Sequence, residues 1–155
     1  MKMYMILLAA VMGVGLLGSC TDAEEKLEQQ VEKDRSRELF CQAEEIGVYR
    51  AGDPLWIFDG SKQQLAMHES GNDIRLYVES DDEKQSVCFL LPAMVKNSEP
   101  GTNVQIHLSC RYVEQLTPGA SPMEIVRRDT NGEFPKVWLW NETSGTGFIL
   151  YTDLQ

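Results

Sequence analysis

Two histidines, His68 and His107, and four cysteines, Cys20, Cys41, Cys88 and Cys110, are the imidazoles and thiols of this 155-residue chain, and so few histidines constrain catalytic proposals severely. A Ser-His-Asp or Cys-His arrangement needs one of the histidines beside an activated nucleophile, but there is no Gly-x-Ser-x-Gly and no cysteine in a peptidase context. His107 falls on the polar side of an alternating run, where a solvated imidazole is the expectation. Tetrahedral metal ligation fares no better without His-Glu-x-x-His or Cys-x-x-Cys. The oxygen-rich stretches Glu79–Glu83 and Asp129–Glu133 read as turns, since the second has only part of a calcium loop and lacks its further ligands. Neither a cofactor nor a metal is expected. Acids are abundant, but pairing them for glycoside hydrolysis is a matter of tertiary distance that spacing alone leaves open.

The surface feature with most chemical content is "VWLWN", where Trp138 and Trp140 share one face of a strand and Val137 and Leu139 share the other. With valine and leucine inward, the two indoles form an outward platform able to stack on sugar rings or an aromatic partner. With the indoles inward, they are ordinary core. Trp138 and Trp140 are the candidate binding surface.

What positions these residues begins with where the chain is sent. Lys2 is followed by Met5 to Gly18, an uncharged apolar run laid out like a secretory leader and too short to span roughly 30 Å of hydrocarbon as a helix. Leu17-Gly18-Ser19-Cys20 then resembles the bacterial lipobox, an aliphatic and two small residues before a cysteine. The resemblance implies cleavage before Cys20, diacylglycerol on its sulfur, and a membrane partner through the lipid anchor; two or more acyl chains hold a protein on a bilayer where one does not. Asp22, Glu24 and Glu25, close after that cysteine, are similar to surface-export signals of Bacteroidetes lipoproteins, which implies the outer membrane. In layout the chain resembles small Bacteroides envelope lipoproteins.

Residues 1–19 are thus the expected signal peptide and 20–45 a lipid-anchored acidic linker. From Thr21 to Glu45 there are nine acids, four bases and few apolar residues. That composition suits a solvated, partly helical or disordered spacer, with helix favoured near Leu39 and Phe40, which are placed to dock on the domain C-terminal to them. Residues 46–155 change period. Ile74, Leu76 and Val78, and again Val104, Ile106, Leu108 and Cys110, alternate with polar residues, and further β-branched and aromatic runs are separated by Gly, Pro, Asn and Asp turns. Asp59-Gly60 and Asn131-Gly132 suit tight type I′ hairpins. Short connections imply antiparallel neighbours. The expected fold is mainly β, a single antiparallel β-sandwich, with a small β-barrel as the alternative.

Cys88 and Cys110 lie symmetrically about Glu99. A hairpin centred there sets them opposite each other as a candidate disulfide, with Cys41 left as the odd thiol; an envelope compartment permits the bond. The formal net charge of −10 argues against nucleic acid as a partner, because phosphate neutralisation needs clustered Lys and Arg. Arg127-Arg128, the only adjacent basic pair, alternates faces on a strand. The expected function is a non-enzymatic binding or accessory module for a glycan or an envelope protein; the alternatives are an envelope hydrolase using carboxylates and a structural subunit of an outer-membrane assembly. Metabolic labelling with palmitate is expected to mark the wild-type chain and to disappear in Cys20→Ala.

Overall fold

Residues 14–80 and 84–154 are described in a computed structural model, with side chains from Asp22 onward. Residues 1–13 of the expected leader lie outside the described residues, as do the side chain of Cys20 and residues Asp81, Asp82 and Glu83 of the acidic turn. A single helix among the described residues, α1 (Val14–Gln42), precedes nine strands. These are β1 (Gly47–Arg50), β2 (Asp53–Ile57), β3 (Gln63–Ser70), β4 (Asp73–Ser80), β5 (Ser86–Pro92), β6 (Asn103–Arg111), β7 (Gly119–Asp129), β8 (Lys136–Asn141) and β9 (Thr146–Tyr151). A 3-10 turn, Ala93–Lys96, follows β5. No helix among the described residues is long and apolar enough to cross a membrane.

The chain divides into two units, Met1–Arg35 and Ser36–Gln155. In the first, residues 22–35 expose every side chain, Leu27 and Val31 included, as the scarcity of apolar groups requires. The second begins upstream of the expected boundary at Ile46, because the last turns of α1 are built into it through Phe40.

All the β-like runs in the sequence form strands, and every neighbouring pair is antiparallel. They make one open sheet, in the order β2-β1-β9-β8-β7-β6-β5-β4-β3, not closed into a barrel. The sheet folds over on itself, so its two ends face each other as the layers of a sandwich would. In the sheet order β5 and β9 are separated by three strands, some 19 Å if flat, yet the Phe89 and Phe148 rings lie 5.4 Å apart and Phe58 lies 5.8 Å from Phe89. The link between the edge strands β2 and β3 has the same consequence. Residues 58–62 reach at most about 20 Å, whereas a flat nine-stranded sheet is about 38 Å wide.

Two turn expectations need correcting. Gly60 and Gly132 have no positive φ, and each sits in a longer connection rather than a type I′ hairpin. The tight two-residue turns are Ala51-Gly52, with φ of +52° and +86°, and Gly71-Asn72, with Gly71 at +61°.

Phe40 explains why β1, β8 and β9 are buried on both faces. One face joins the main core; the other lies under the end of α1, with Phe40 fully buried 5.3 Å from the Trp140 ring and 5.5 Å from Tyr49. Gly147 makes the space, since a Cβ there would stand 2.4 Å from Phe40 Cε1. Carbonyls at and just past the end of α1 are satisfied from the sheet: Arg127 Nη1 donates to Cys41 O at 2.8 Å, and Trp138 Nε1 to Ala43 O, one residue beyond the helix, at 2.9 Å. A guanidinium at a helix C-terminus also meets the negative end of its dipole. Phe40→Ala is expected to lower unfolding free energy by about 3–5 kcal/mol in denaturant titration. Gly147→Ala is expected to be costly in the wild-type background and much less so beside Phe40→Ala, a coupling that a double-mutant cycle measures.

Candidate functional site

At one end of the folded sheet, three turns enclose a cavity of about 370 Å³. The first is the β1–β2 turn, where Arg50 and Asp53 flank Ala51 and Gly52. Ala51 holds a positive φ without being glycine, a conformation sustained by its amide donating to Gly145 O at 2.8 Å. That bond clasps it to the second turn, between β8 and β9. There Asn141 Oδ1 accepts from the Ser144 amide at 2.9 Å, while Asn141 Nδ2 donates to Pro122 O at 2.9 Å and ties the turn to β7. The third wall is the approach to β7, residues 115–121, turning at Gly119 with φ of +137°.

The floor is apolar. Val48, Leu108, Leu116, Met123 and Phe148 are each at most 7% exposed, so little free hydrocarbon remains for a long aliphatic chain to cover. The rim is polar and unsatisfied by the protein: the side chains of Arg50, Gln115, Thr117, Ser121 and Thr146 make no hydrogen bond or ion pair with another described residue. Arg50 is the only charged residue among those lining the cavity. Three other arginines of the β unit are used internally, whereas Arg75 and Arg111 are exposed. Arg37 pairs with Glu124 at 2.8 Å; Arg127 holds the end of α1 and stacks 4.0 Å over Trp138; Arg128 donates to the carbonyls of Val95, Lys96 and Ser98. The Arg127-Arg128 doublet is divided between two structural tasks, helped by the bulge in β7 between Ile125 and Arg127.

The residues singled out from sequence are not brought together here. Trp138 and Trp140 are 0% and 2% exposed, so the stacking platform is overturned. Val137 and Leu139 do face the core, but the opposite side is covered by α1, and the indole N–H groups are spent on Ala43 O and on Glu142 Oε2 at 2.9 Å. The Cys88–Cys110 bridge is overturned too. The β5–β6 register sets Cys88 opposite Ser109 and Cys110 opposite Val87, one residue from the expected alignment, and a one-residue slip reverses faces. Cys110 belongs to the core side, Cys88 to the outer face, and all three described cysteines are free. His68 and His107 stand on one cross-strand row, His68–Arg75–Leu90–His107, about 14 Å apart; both are exposed.

A second, more open depression of about 500 Å³ includes Glu45 and Asp59. Hydrogen bonds from the Ser61 hydroxyl and amide hold Asp59 below the usual carboxylate range, which suits an Asx turn and is the opposite of what a general acid needs. Among the described residues no cluster of His, Cys, Asp and Glu is placed to hold a metal ion.

Arg50 and its neighbours carry no motif. Asp53-Pro54, Pro118-Gly119 and Ser144-Gly145 have the chemistry of turns, but that they meet at one end of the sheet is a property of topology. No family model, curated protein or solved structure matches this chain.

Burial pushes the thiols of Cys88 and Cys41 up. At Cys88 it is opposed by hydrogen bonds from Tyr77 and Ser109 and the charge of Arg75, and at Cys41 by the charges of Arg37 and Arg127. The stabilisation from keeping these thiols neutral is full below the ordinary thiol pKa and is lost as pH rises through the folded-state value. Alkylation by iodoacetamide is expected to modify Cys41, Cys88 and Cys110 without prior reduction. For Cys41 and Cys88 the pH–rate midpoint should lie above that of a free thiol.

Proposed function

We propose that this chain is a bacterial envelope lipoprotein, anchored through Cys20, whose β unit is a binding module taking a small anionic, hydroxyl-bearing ligand in the cavity around Arg50. A carboxylated sugar is the type of molecule meant. The anchor rests on the lipobox-like Leu17-Gly18-Ser19-Cys20. The binding reading is carried by Arg50, whose guanidinium has no partner among the described residues and is alone in charge among the residues lining the cavity, in a chain where acids outnumber bases 24 to 14.

A planar guanidinium presents parallel donors that match a carboxylate. Gln115, Thr117, Ser121 and Thr146 supply uncommitted amide and hydroxyl groups around it, suited to ligand hydroxyls. A small apolar floor accommodates the flat face of a ring, and the volume falls in the range of roughly 300–1,000 Å³ typical of small-molecule sites. The same lining gives no support to hydrolysis by paired carboxylates, because it includes neither Asp nor Glu.

Calorimetric titration of the full chain with D-glucuronate and with D-glucose tests this. Charge-assisted hydrogen bonds contribute about 1.5–3 kcal/mol, discounted here because Arg50 is exposed. Glucuronate should therefore bind about tenfold more tightly than glucose, and Arg50→Gln should bring the two to parity without changing the melting temperature. Equal affinities in the wild-type protein would count against the assignment of charge, and no binding of either against the cavity as a site.

A further inference from the structure

We propose that β3 is a self-pairing edge through which two copies of this chain join their sheets into one, an inference independent of the cavity and its ligand. The open sheet has two edges, and they are not alike. β2 is five residues long, contains Pro54, which has no amide donor, and is irregular against β1 between Val48 and Tyr49. β3 is eight residues long, pairs with β4 without a bulge from Gln63 to Ser70, and contains no Pro, Lys or Arg. On its inner side Leu65 and Met67 are only half-buried, because no strand among the described residues lies beyond them.

The hairpin fixes which backbone groups are free. The two-residue turn Gly71-Asn72 is closed by the Ser70–Asp73 pair. In such a hairpin the closing pair is hydrogen-bonded and the pattern alternates from there. Ser70, His68, Ala66 and Gln64 therefore bond to β4, while Glu69, Met67, Leu65 and Gln63 direct their amides and carbonyls outward.

A two-fold axis normal to the sheet sets same-face residues opposite each other. Centred on Ala66, it pairs Leu65 with Met67 of the second copy and Gln63 with Glu69 of the second copy. Every outward-directed residue of both strands is then used, in about eight main-chain hydrogen bonds. Axes centred on Leu65 or Met67 leave outward groups at one end unmatched. The half-buried Leu65 and Met67 of each copy meet and continue the core.

Charge selects the same occupant. Two copies each carrying −10 repel over most of their surfaces. The one formal charge on β3 is Glu69, already paired with Lys96 at 3.0 Å, and in this register it faces an uncharged Gln63. His68 faces Gln64, so no like charges meet across the join.

The test is site-directed cross-linking of the full chain in detergent, followed by non-reducing electrophoresis. At the two-fold, Ala66 and its copy form a non-hydrogen-bonded pair with Cα atoms about 4.5 Å apart, within disulfide range. Copies of Gln64 lie about 14 Å apart. Mild oxidation with copper–phenanthroline should give Ala66→Cys at least tenfold more covalent dimer than wild type, and Gln64→Cys no more than wild type. Equal cross-linking at both positions, none above wild type at Ala66→Cys, or an adduct containing a different protein would overturn the proposal. Hydrogen exchange on the unmodified chain provides a second readout. The Leu65 and Met67 amides should be protected at high protein concentration and lose protection on dilution, and fast exchange at every concentration would also overturn it.

Discussion

Phe40 seated over Gly147 is the contact on which the β unit depends. The ring fills a space that exists only because position 147 lacks a Cβ, and it lies against Trp140 and Tyr49. It turns the outer face of β1, β8 and β9 into a second buried layer, which accounts for the burial of Trp138 and Trp140, while Val137 and Leu139 are buried in the main core on the other face. Polar groups left by the helix end are taken up at the same place, where Arg127 and Trp138 bind the Cys41 and Ala43 carbonyls. An apolar anchor and its hydrogen-bonded surround thus close a layer that a sheet with one solvated side would leave open.

Folding the sheet over has two results that share one cause. Strands distant in sheet order come face to face, so Phe89 meets Phe148 and a common core forms. At one end the β1–β2 turn, the β8–β9 turn and the approach to β7 meet around the cavity, fastened by the Ala51–Gly145 and Asn141–Pro122 hydrogen bonds. Arg50 stands there because the tight turn at Ala51-Gly52 sets it on the rim. Its lack of a partner among the described residues separates it from Arg37, Arg127 and Arg128, whose loss would be felt in stability. The sheet stays open, which leaves two edges to be managed. Pro54 and an irregular register guard β2, whereas β3 is a regular ladder with its outward backbone groups unguarded.

Much of the β pattern was legible because it depends on neighbours in sequence. Ile74, Leu76 and Val78 alternate and are buried, with Arg75 and Tyr77 exposed between them, and Pro135 stands just ahead of β8 as a residue without an amide donor should. Of the two residues expected to dock the helix, Phe40 is fully buried, whereas Leu39 stays 43% exposed. The misreadings lie where one residue of register or one covering element decides the outcome. Cys88 and Cys110 were expected opposite each other, and a single-residue difference in alignment sends them to opposite faces. Trp138 and Trp140 gave no alternation to read, since β8 is apolar on both sides. The indoles are buried by a segment some hundred residues earlier in the chain.

The sequence alone determined the strand content, the antiparallel habit, the acidic character and the lipobox-like motif at Cys20, because periodicity, turn chemistry and short motifs are local and need no knowledge of distant contacts. Tertiary structure alone decided that nine strands make one folded-over open sheet, that Phe40 covers the tryptophans, that three unrelated turns meet around Arg50, and that β3 is left at an edge. Those outcomes rest on strand order and on packing between residues far apart in the chain, and sequence spacing does not encode either.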